Sequence, residues 1–521
     1  ALVVVGAIIL ASGAFTWAFA PKLDYLPTGN RNFVFGFVNV PPGYNLSTVT
    51  EITERIANRT RNLWASETGP ESEPGEPPKF QRFIRVPFAG RAFIGGTSVD
   101  PARAAELIPV LQNAGRQDPG VLTFPSQPSL FGRSLGSGRT IDVDIRGSDL
   151  EQIYQVAFDV FIRLAPRFPF SEGNQVRPIP SLTLSAPEVR VEPNRLKLAD
   201  NGLSARALGQ AIDAFNDGLR VAEITVDGKR IDLTLTGTPN IIDQTQGIGS
   251  LPVVTRDGRI VPVEGLADVR ITSGPTEVRR ADRARTVRLQ VRPNADTPLQ
   301  GAFELIREEI VEPMQEAGLP EGVSIRLTGT ADKLLETWNE LVIDLLLAIV
   351  IVYLVMAVLF ESFVYPLIIM LTVPVAAAGG IAGLAVLNIW VLQPLDMLTM
   401  LGFVILTGIV VNNAILLVHQ TLYHIREDGM NADDAIMLAT QNRVRPIFMS
   451  TLTSVFGMLP LVVSPGAGSE LYRGLGSVVL GGLSLSAVLT LAIVPPMMSI
   501  TVGWRERKRD KQPDPSPTPA Q

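Results

Sequence analysis

Apolar residues fall along this chain in two regimes. Six runs are long and apolar enough to read as membrane helices, at 1–20, 342–360, 366–388, 397–418, 446–464 and 473–502. The criterion is physical: a bilayer core of about 30 Å needs about 20 apolar residues at helical rise. Several runs hold Gly or Pro (Pro374, Gly379, Gly380, Gly408, Gly457, Pro460, Pro495, Pro496), which membrane helices tolerate better than soluble ones. The first run opens at Ala1 with no basic segment before it. A secretory signal is the alternative reading there, because Leu2 to Phe19 is apolar with small residues near its end. The missing basic segment and the length of the run argue for a span.

From about residue 21 to 341 no run reaches membrane length, so this region folds outside the membrane. Phe33–Val40 reads as a strand closed by the turn Pro41-Pro42-Gly43, and Leu46, Val49, Ile52 and Ile56 then recur at helical spacing. An acidic, Pro-rich linker (Glu67–Pro78), strands around 81–98 and a helix over 101–114 follow. That is a β-α-β-β-α-β order, the split βαβ of a ferredoxin-like domain. A second such unit starts at Thr140–Ile145, which alternates with period two, and has a helix over 149–165. It resumes at Val287–Val291, with a helix over 299–316 and a strand at Val323–Leu327. Residues 186–276 interrupt it with Val189–Val191, a helix over Ser204–Ala214 and the strand Arg230–Leu235.

The averages, 18% charged and 46% hydrophobic, blend these two populations. A net charge of −6 and a pI near 5.3 argue against a nucleic-acid partner. The absence of Cys excludes disulfides and thiolate metal sites, and two histidines, His419 and His424, leave little for an imidazole zinc centre. No nucleophile triad, catalytic carboxylate pair or phosphate loop stands out, so an enzyme of covalent chemistry is not expected. Positive charge orients the spans. The tail Trp504-Arg505-Glu506-Arg507-Lys508-Arg509 and the loop 419–445, with Arg426, Arg443 and Arg445, are expected on the cytoplasmic side. The large loop then lies in the periplasm. The polar, Pro-rich end from Gln512 is compositionally disordered.

Short motifs add a resemblance. Leu359-Phe360-Glu361-Ser362-Phe363 with Pro366 and Val373-Pro374 resembles the tight turn joining two spans in exporters of the resistance-nodulation-division (RND) superfamily. Gly408–Leu416, Arg443–Thr451, Gly457–Leu461, and Ser464 with Gly466-Ala467-Gly468-Ser469 are similar to the family's later spans and their turn. Phe88-Ala89-Gly90-Arg91 and Leu130-Phe131-Gly132 in the large loop are also family-like. The resemblance covers essentially the whole chain in order and is closest to the hydrophobe/amphiphile efflux group. It implies the C-terminal half of a bacterial inner-membrane pump exporting drugs, detergents or other amphiphiles, unable to transport alone. It further implies an absent N-terminal half, a homotrimer, a periplasmic adaptor and an outer-membrane channel.

The implied fold is a polytopic α-helical membrane protein with six spans in this chain and a large periplasmic α+β loop. Its parts are a seventh span of twelve (1–20), a first porter subdomain (21–135) and a second in two pieces (136–185 and 277–338). A docking insert (186–276), five further spans (339–503) and a cytoplasmic tail (504–521) complete it. Near rivals are a heavy-metal exporter of the same superfamily and a protein-translocation or lipid-sensing relative sharing the membrane core. The metal exporter would want soft ligands, and the large loop has only Met314 and no Cys.

Polar groups inside spans are costly and so mark candidate function. Asn412 and Asn413 either glue helices or take part in transport. In the light of the resemblance, Asn412 stands where many relatives carry a lysine that pairs with fourth-span aspartates. An amide supplies no charge, so it would depress a partner carboxylate less than a cation does. Arg443 and Ser450, seven residues apart on one helix face, fall on the family's proton-sensing line. The alternative for Arg443 is a positive-inside anchor. Asp344, Glu340, His419 and His424 read as interfacial. No cofactor is implied, the proton gradient being the expected energy source. Phe88-Ala89-Gly90 resembles the switch loop between two drug pockets, or else is an ordinary strand-end turn near Phe93, Gly95 and Gly96.

Overall fold

The computed structural model describes residues 2–24, 30–128, 139–182, 186–216, 218–237, 245–275, 277–294, 296–463 and 469–509. Leu130-Phe131-Gly132, the turn from Ser464 to Gly468, and the chain from Asp510 lie outside the described residues. Two compact units emerge, Pro180–Val278 and the remainder.

The remainder begins with the apolar helix α1 (Leu2–Phe19) and continues into a first sandwich. Its elements are β1 (Val34–Asn39), α2 (Leu46–Arg59), the short α3 (Ala65–Thr68), β2 (Phe80–Phe88), β3 (Arg91–Ser98), α4 (Leu107–Arg116) and β4 (Leu122–Ser126). The antiparallel sheet runs β2-β3-β1-β4. Period two decides its inner face: Val34, Val38, Ala92 and Ile94 bury against Val49, Ile52 and Ile56 of α2 and Leu107 and Leu111 of α4. Asn45 caps α2, accepting from the Thr48 amide at 2.9 Å. The helix expected over 101–114 divides in two, because Asp100 caps a 3₁₀ turn at Pro101–Glu106 before α4 starts. The off-phase residues make an aromatic outer face, with Phe93 against Phe35 and Phe37 at centroid distances of 5.5 and 5.8 Å.

A second sandwich opens with β5 (Ile141–Gly147), α5 (Leu150–Leu164) and β6 (Gln175–Ile179). The unit Pro180–Val278 follows. In it β7 (Ala186–Pro193) leads through α6 (Arg195–Asp200) and α7 (Ala205–Asn216) to the hairpin of β8 (Leu219–Val226) and β9 (Lys229–Leu235). The hairpin turns at Asp227-Gly228, both at positive φ (49° and 75°), as a two-residue type I′ turn requires. A small hairpin, β10 (Pro252–Val254) with β11 (Ile260–Pro262), precedes β12 (Ala267–Gly274), which pairs with β7. Leu198, Leu208, Leu251, Val253, Val263 and Leu266 form this unit's core.

The second sandwich then resumes with β13 (Arg280–Ala281), β14 (Ala284–Arg292), α8 (Leu299–Ile306), a π turn at Arg307–Val311, α9 (Glu312–Glu316) and β15 (Ser324–Gly329). β14 lies between β6 and β5, and β15 pairs with the other edge of β5. Ile141, Val143, Ile145, Val287, Leu289 and Val291 are fully buried on the helix side. Their off-phase neighbours are also buried, and they are charged: Asp142, Asp144 and Arg146. Arg288 binds Asp144 through Nε at 2.6 Å and Asp142 at 2.7 Å, while Arg146 adds a 3.1 Å bond to Asp144. Burial alone would raise the Asp144 carboxyl, but the bonds from Arg288 and Arg146 outweigh it and hold it below the ordinary value. For Asp142 burial wins over Arg288 and Gln290, and its carboxyl is pushed up.

The membrane part comprises α10 (Thr330–Leu359), α11 (Val364–Met370), α12 (Thr372–Leu387), α13 (Met397–Arg426), α14 (Ala432–Val463) and α15 (Arg473–Arg509). Among the described residues five helical stretches are long and apolar enough to span, α11 and α12 together making one of them. The sixth expected run is the shorter apolar helix Val3–Phe19. It joins the bundle through Val5, Ile8 and Ile9 packed with Val375 and Ile493. α14 starts well before its apolar run, since Asp433 and Asp434 suit a helix N-terminus and Ala435, Ile436 and Ala439 bury. α12 and α15 cross on small residues: a Cβ on Gly379 would lie 2.8 Å from the Gly481 carbonyl. Below the sandwich, Leu23 and Leu395 form a parallel bridge, with Asp24 donating to the Leu395 carbonyl and Leu395 to that of Lys22, both at 3.1 Å. Gln300 of α8 joins them, accepting from the Leu23 amide at 2.9 Å.

Candidate functional site

The candidate relay residues Asn412, Asn413, Arg443 and Ser450 sit on α13 and α14, which pack together. Asp396 caps α13, accepting from the Thr399 amide at 2.7 Å, and fixes the register of the helix below it. Phe403, Leu406, Val410, Ala414 and Leu417 bury one face. Leu401, Ile405, Leu416 and Tyr423 make an exposed stripe at helical spacing. Asn412 lies on that stripe, whereas Asn413 is turned inward and buried. Neither amide makes a hydrogen bond among the described residues.

Arg443, half-buried on α14, reaches across to α13 and donates to Gln420 Oε1 at 2.8 Å. Ser450 donates to its own helix, at the Ile447 carbonyl, 3.0 Å away. With Arg443 level with Gln420 and the helices antiparallel, seven residues of helix, about 10.5 Å, bring Ser450 level with Asn413. The four expected relay residues therefore form two layers. Asn413 and Ser450 share one, with Asn412 at the same level on the exposed stripe, and Arg443 lies in the other.

That second layer also holds Gln420, His424 and Asp428. Gln420 Nε2 faces His424 Nε2 at 3.1 Å, and His424 Nδ1 faces Asp428 Oδ2 at 2.6 Å. His424 is buried within the protein (8% exposed), while His419 is exposed. The signal was present: Gln420, His424 and Asp428 recur every four residues, the spacing that puts side chains on one helix face.

In the first sandwich, Ala89-Gly90 is a two-residue turn between Phe88 and Arg91, with Gly90 at φ 76°. Phe88 is half-exposed, and Phe93, Gly95 and Gly96 belong to the body of β3. A Cβ on Gly95 would come within 2.9 Å of Phe35 Cα, so Gly95 lets the aromatic face close. Arg177 of β6 lies 4.1 Å from the Phe37 ring centroid, its Nε without a hydrogen-bond partner. Burial, aided by Arg91 and Arg279, lowers its guanidinium to about 10. No cluster of His, Cys, Asp or Glu able to hold a metal occurs among the described residues.

The family model for AcrB/AcrD/AcrF matches residues 1–501. The chain belongs to that RND transporter family. Multidrug resistance protein MdtC of Salmonella paratyphi B is 36% identical over 254 residues, covering 48% of this chain and 24% of that protein. MdtC of Salmonella newport is 34% identical over 257 residues, covering 49% and 24%. A crystal structure of a heavy metal efflux pump superposes with a TM-score of 0.76 over 96% of this chain and 50% of that chain, at 20% identity. The matched part thus spans about a quarter of these curated relatives, and the RND chain half of the solved pump.

Proposed function

We propose that this chain is the C-terminal half of a proton-driven efflux pump of the bacterial inner membrane, exporting drugs, detergents and other amphiphiles. The observation that carries the reading is the unbroken family match over residues 1–501, joined to relatives named for multidrug resistance. In this reading α1 is a seventh span, the two split βαβ sandwiches are porter subdomains and the unit Pro180–Val278 is the docking insert. The complete protein works as a homotrimer joined by a periplasmic adaptor to an outer-membrane channel. The exposed stripe of α13 supports a missing half: Asn412 stands among apolar neighbours, and an amide facing lipid is costly unless another helix covers it. Phe37 and Phe93, part-exposed beside Arg177 and backed by the buried Phe35, suit a ligand with an apolar body and a polar end.

A heavy-metal substrate has the structural likeness on its side, but at 20% identity that likeness speaks to fold alone. Met314, the one methionine between residues 21 and 341, lies in the core of the second sandwich. Energy is expected from protons, each worth about 2.3 kcal/mol per 100 mV of membrane potential. Cells producing the full-length protein should expel a fluorescent amphiphile only while the proton gradient stands. Efflux that persists after a protonophore collapses the gradient would sink the reading.

A further inference from the structure

The layer formed by Arg443, Gln420, His424 and Asp428 has only one self-consistent arrangement of protons. A guanidinium donates and cannot accept, so Gln420 must show Arg443 its oxygen. Its NH₂ therefore faces His424 Nε2, which must be a bare acceptor. The ring proton then sits on Nδ1 and is donated to Asp428. Put a proton on Nε2 and two donors confront each other across 3.1 Å. The amide resolves this by turning over, giving its oxygen to the imidazolium and its NH₂ to Arg443, which can no longer bond to it.

We propose that His424 is a proton-binding site whose occupancy, read through the Gln420 amide, releases Arg443 from α13. The inference rests on the proton-driven reading above, to which it adds the residue that takes the proton at this end of the bundle. Binding one proton at Nε2 and holding the Arg443–Gln420 bond exclude each other. The coupling is reciprocal: whatever pulls Arg443 away leaves the Gln420 amide free to turn its oxygen toward His424. Histidine is the residue type suited to this, since its charge changes between about pH 5 and 8. The proton has a way in, because the Asp428 side chain is 43% exposed while that of His424 is 10% exposed.

The other groups around the ring are few. On its own helix Tyr423 stands edge-on at 5.9 Å, His419 lies five residues before the ring and is exposed, and Arg426 ends the helix ahead of the capping Glu427. α14 contributes Arg443 and, at its start, Asp433 and Asp434, of which Asp433 accepts from Ser499 of α15 at 2.9 Å. α11 contributes Tyr365, buried in the apolar cluster that includes Leu422. α12 and residues 474–502 of α15 have no ionisable side chain, and those of α10 lie at 332–344 apart from Tyr353.

The test is a histidine ¹⁵N NMR titration of the full-length protein, with the His424 signal assigned by its loss in His424→Gln. At alkaline pH His424 should show the Nδ1–H tautomer, and the ring should become imidazolium on acidification. Gln420→Leu keeps the guanidinium charge but removes the amide conflict, and should raise the His424 midpoint by about one pH unit, a tenfold gain in proton affinity. An Nε2–H tautomer at alkaline pH, or a midpoint that stays or falls in Gln420→Leu, overturns the proposal. If Gln420→Leu does not fold, Gln420→Glu serves, because a carboxylate accepts from both neighbours and should raise the midpoint further; no rise overturns it too. None of these readouts needs transport, so a failed efflux assay with the expected titration would count against the pump reading alone.

Discussion

The two sandwiches share one strand order and differ on the face that looks away from their helices. In the first, the off-phase residues of β1 and β3 include Phe35, Phe37 and Phe93, with Phe93 stacked on Phe35 and Phe37 edge-on to both. In the second, those of β5 and β14 are Asp142, Asp144, Arg146 and Arg288, tied into an ionic network. Both faces are largely buried, so the residues in phase with the core settle the fold while the residues out of phase are free to differ. The difference lies in what each face demands. Aromatic rings need only contact, whereas buried carboxylates need their partners, and a charge left alone there is expensive.

Substitutions should separate the two. Arg288→Met strips Asp142 and Asp144 of their main cation and should cost about 3–5 kcal/mol of local stability at neutral pH, read by hydrogen exchange at β5 and β14 in the full-length protein. This loss should be pH-dependent. The depressed Asp144 contributes stability above the ordinary carboxylate value and loses it as pH falls through its folded value; the raised Asp142 does the opposite. Acidification toward about pH 4 protonates aspartates that have lost their cation, so the deficit of the variant should shrink. Phe35→Ala should cost about 3–4 kcal/mol by emptying a fully buried site, with no such recovery in acid. A deficit that behaves alike with pH in both variants would erase the distinction. Gly95→Ala, which forces a Cβ against Phe35, should cost about 1–3 kcal/mol in β3 alone.

Much of this was legible from residue order. Val34 and Val38, or Ile141, Val143 and Ile145, alternate visibly, and the apolar runs from Asp344 onward set out the later spans. What escaped was partnership. Period two puts Asp142 and Asp144 on the face opposite Ile141, Val143 and Ile145, but it says which residues share a face and nothing about what covers it. His424 looked interfacial because it lies near the end of an apolar run, and hydropathy does not register that Arg443, distant in sequence, arrives beside Gln420. Phe88-Ala89-Gly90 carried a family-like motif whose tight two-residue geometry depends on the pairing of Phe88 with Arg91. Asn412 and Asn413, adjacent in sequence, are about 100° apart around the helix and meet opposite environments.

The bridge between Leu23 and Leu395 has a mechanical meaning. It ties the chain leaving α1 to the segment entering α13 by two backbone bonds, and Gln300 fastens the same strand to α8. Main-chain bonds of this kind have little slack, unlike long side chains that swing through several rotamers. An axial shift of α13 must therefore drag residues 22–24 and push on α8, or break the tie. The junction is a short main-chain link between bundle and sheet, and the positions of α13 and α8 are set together through it.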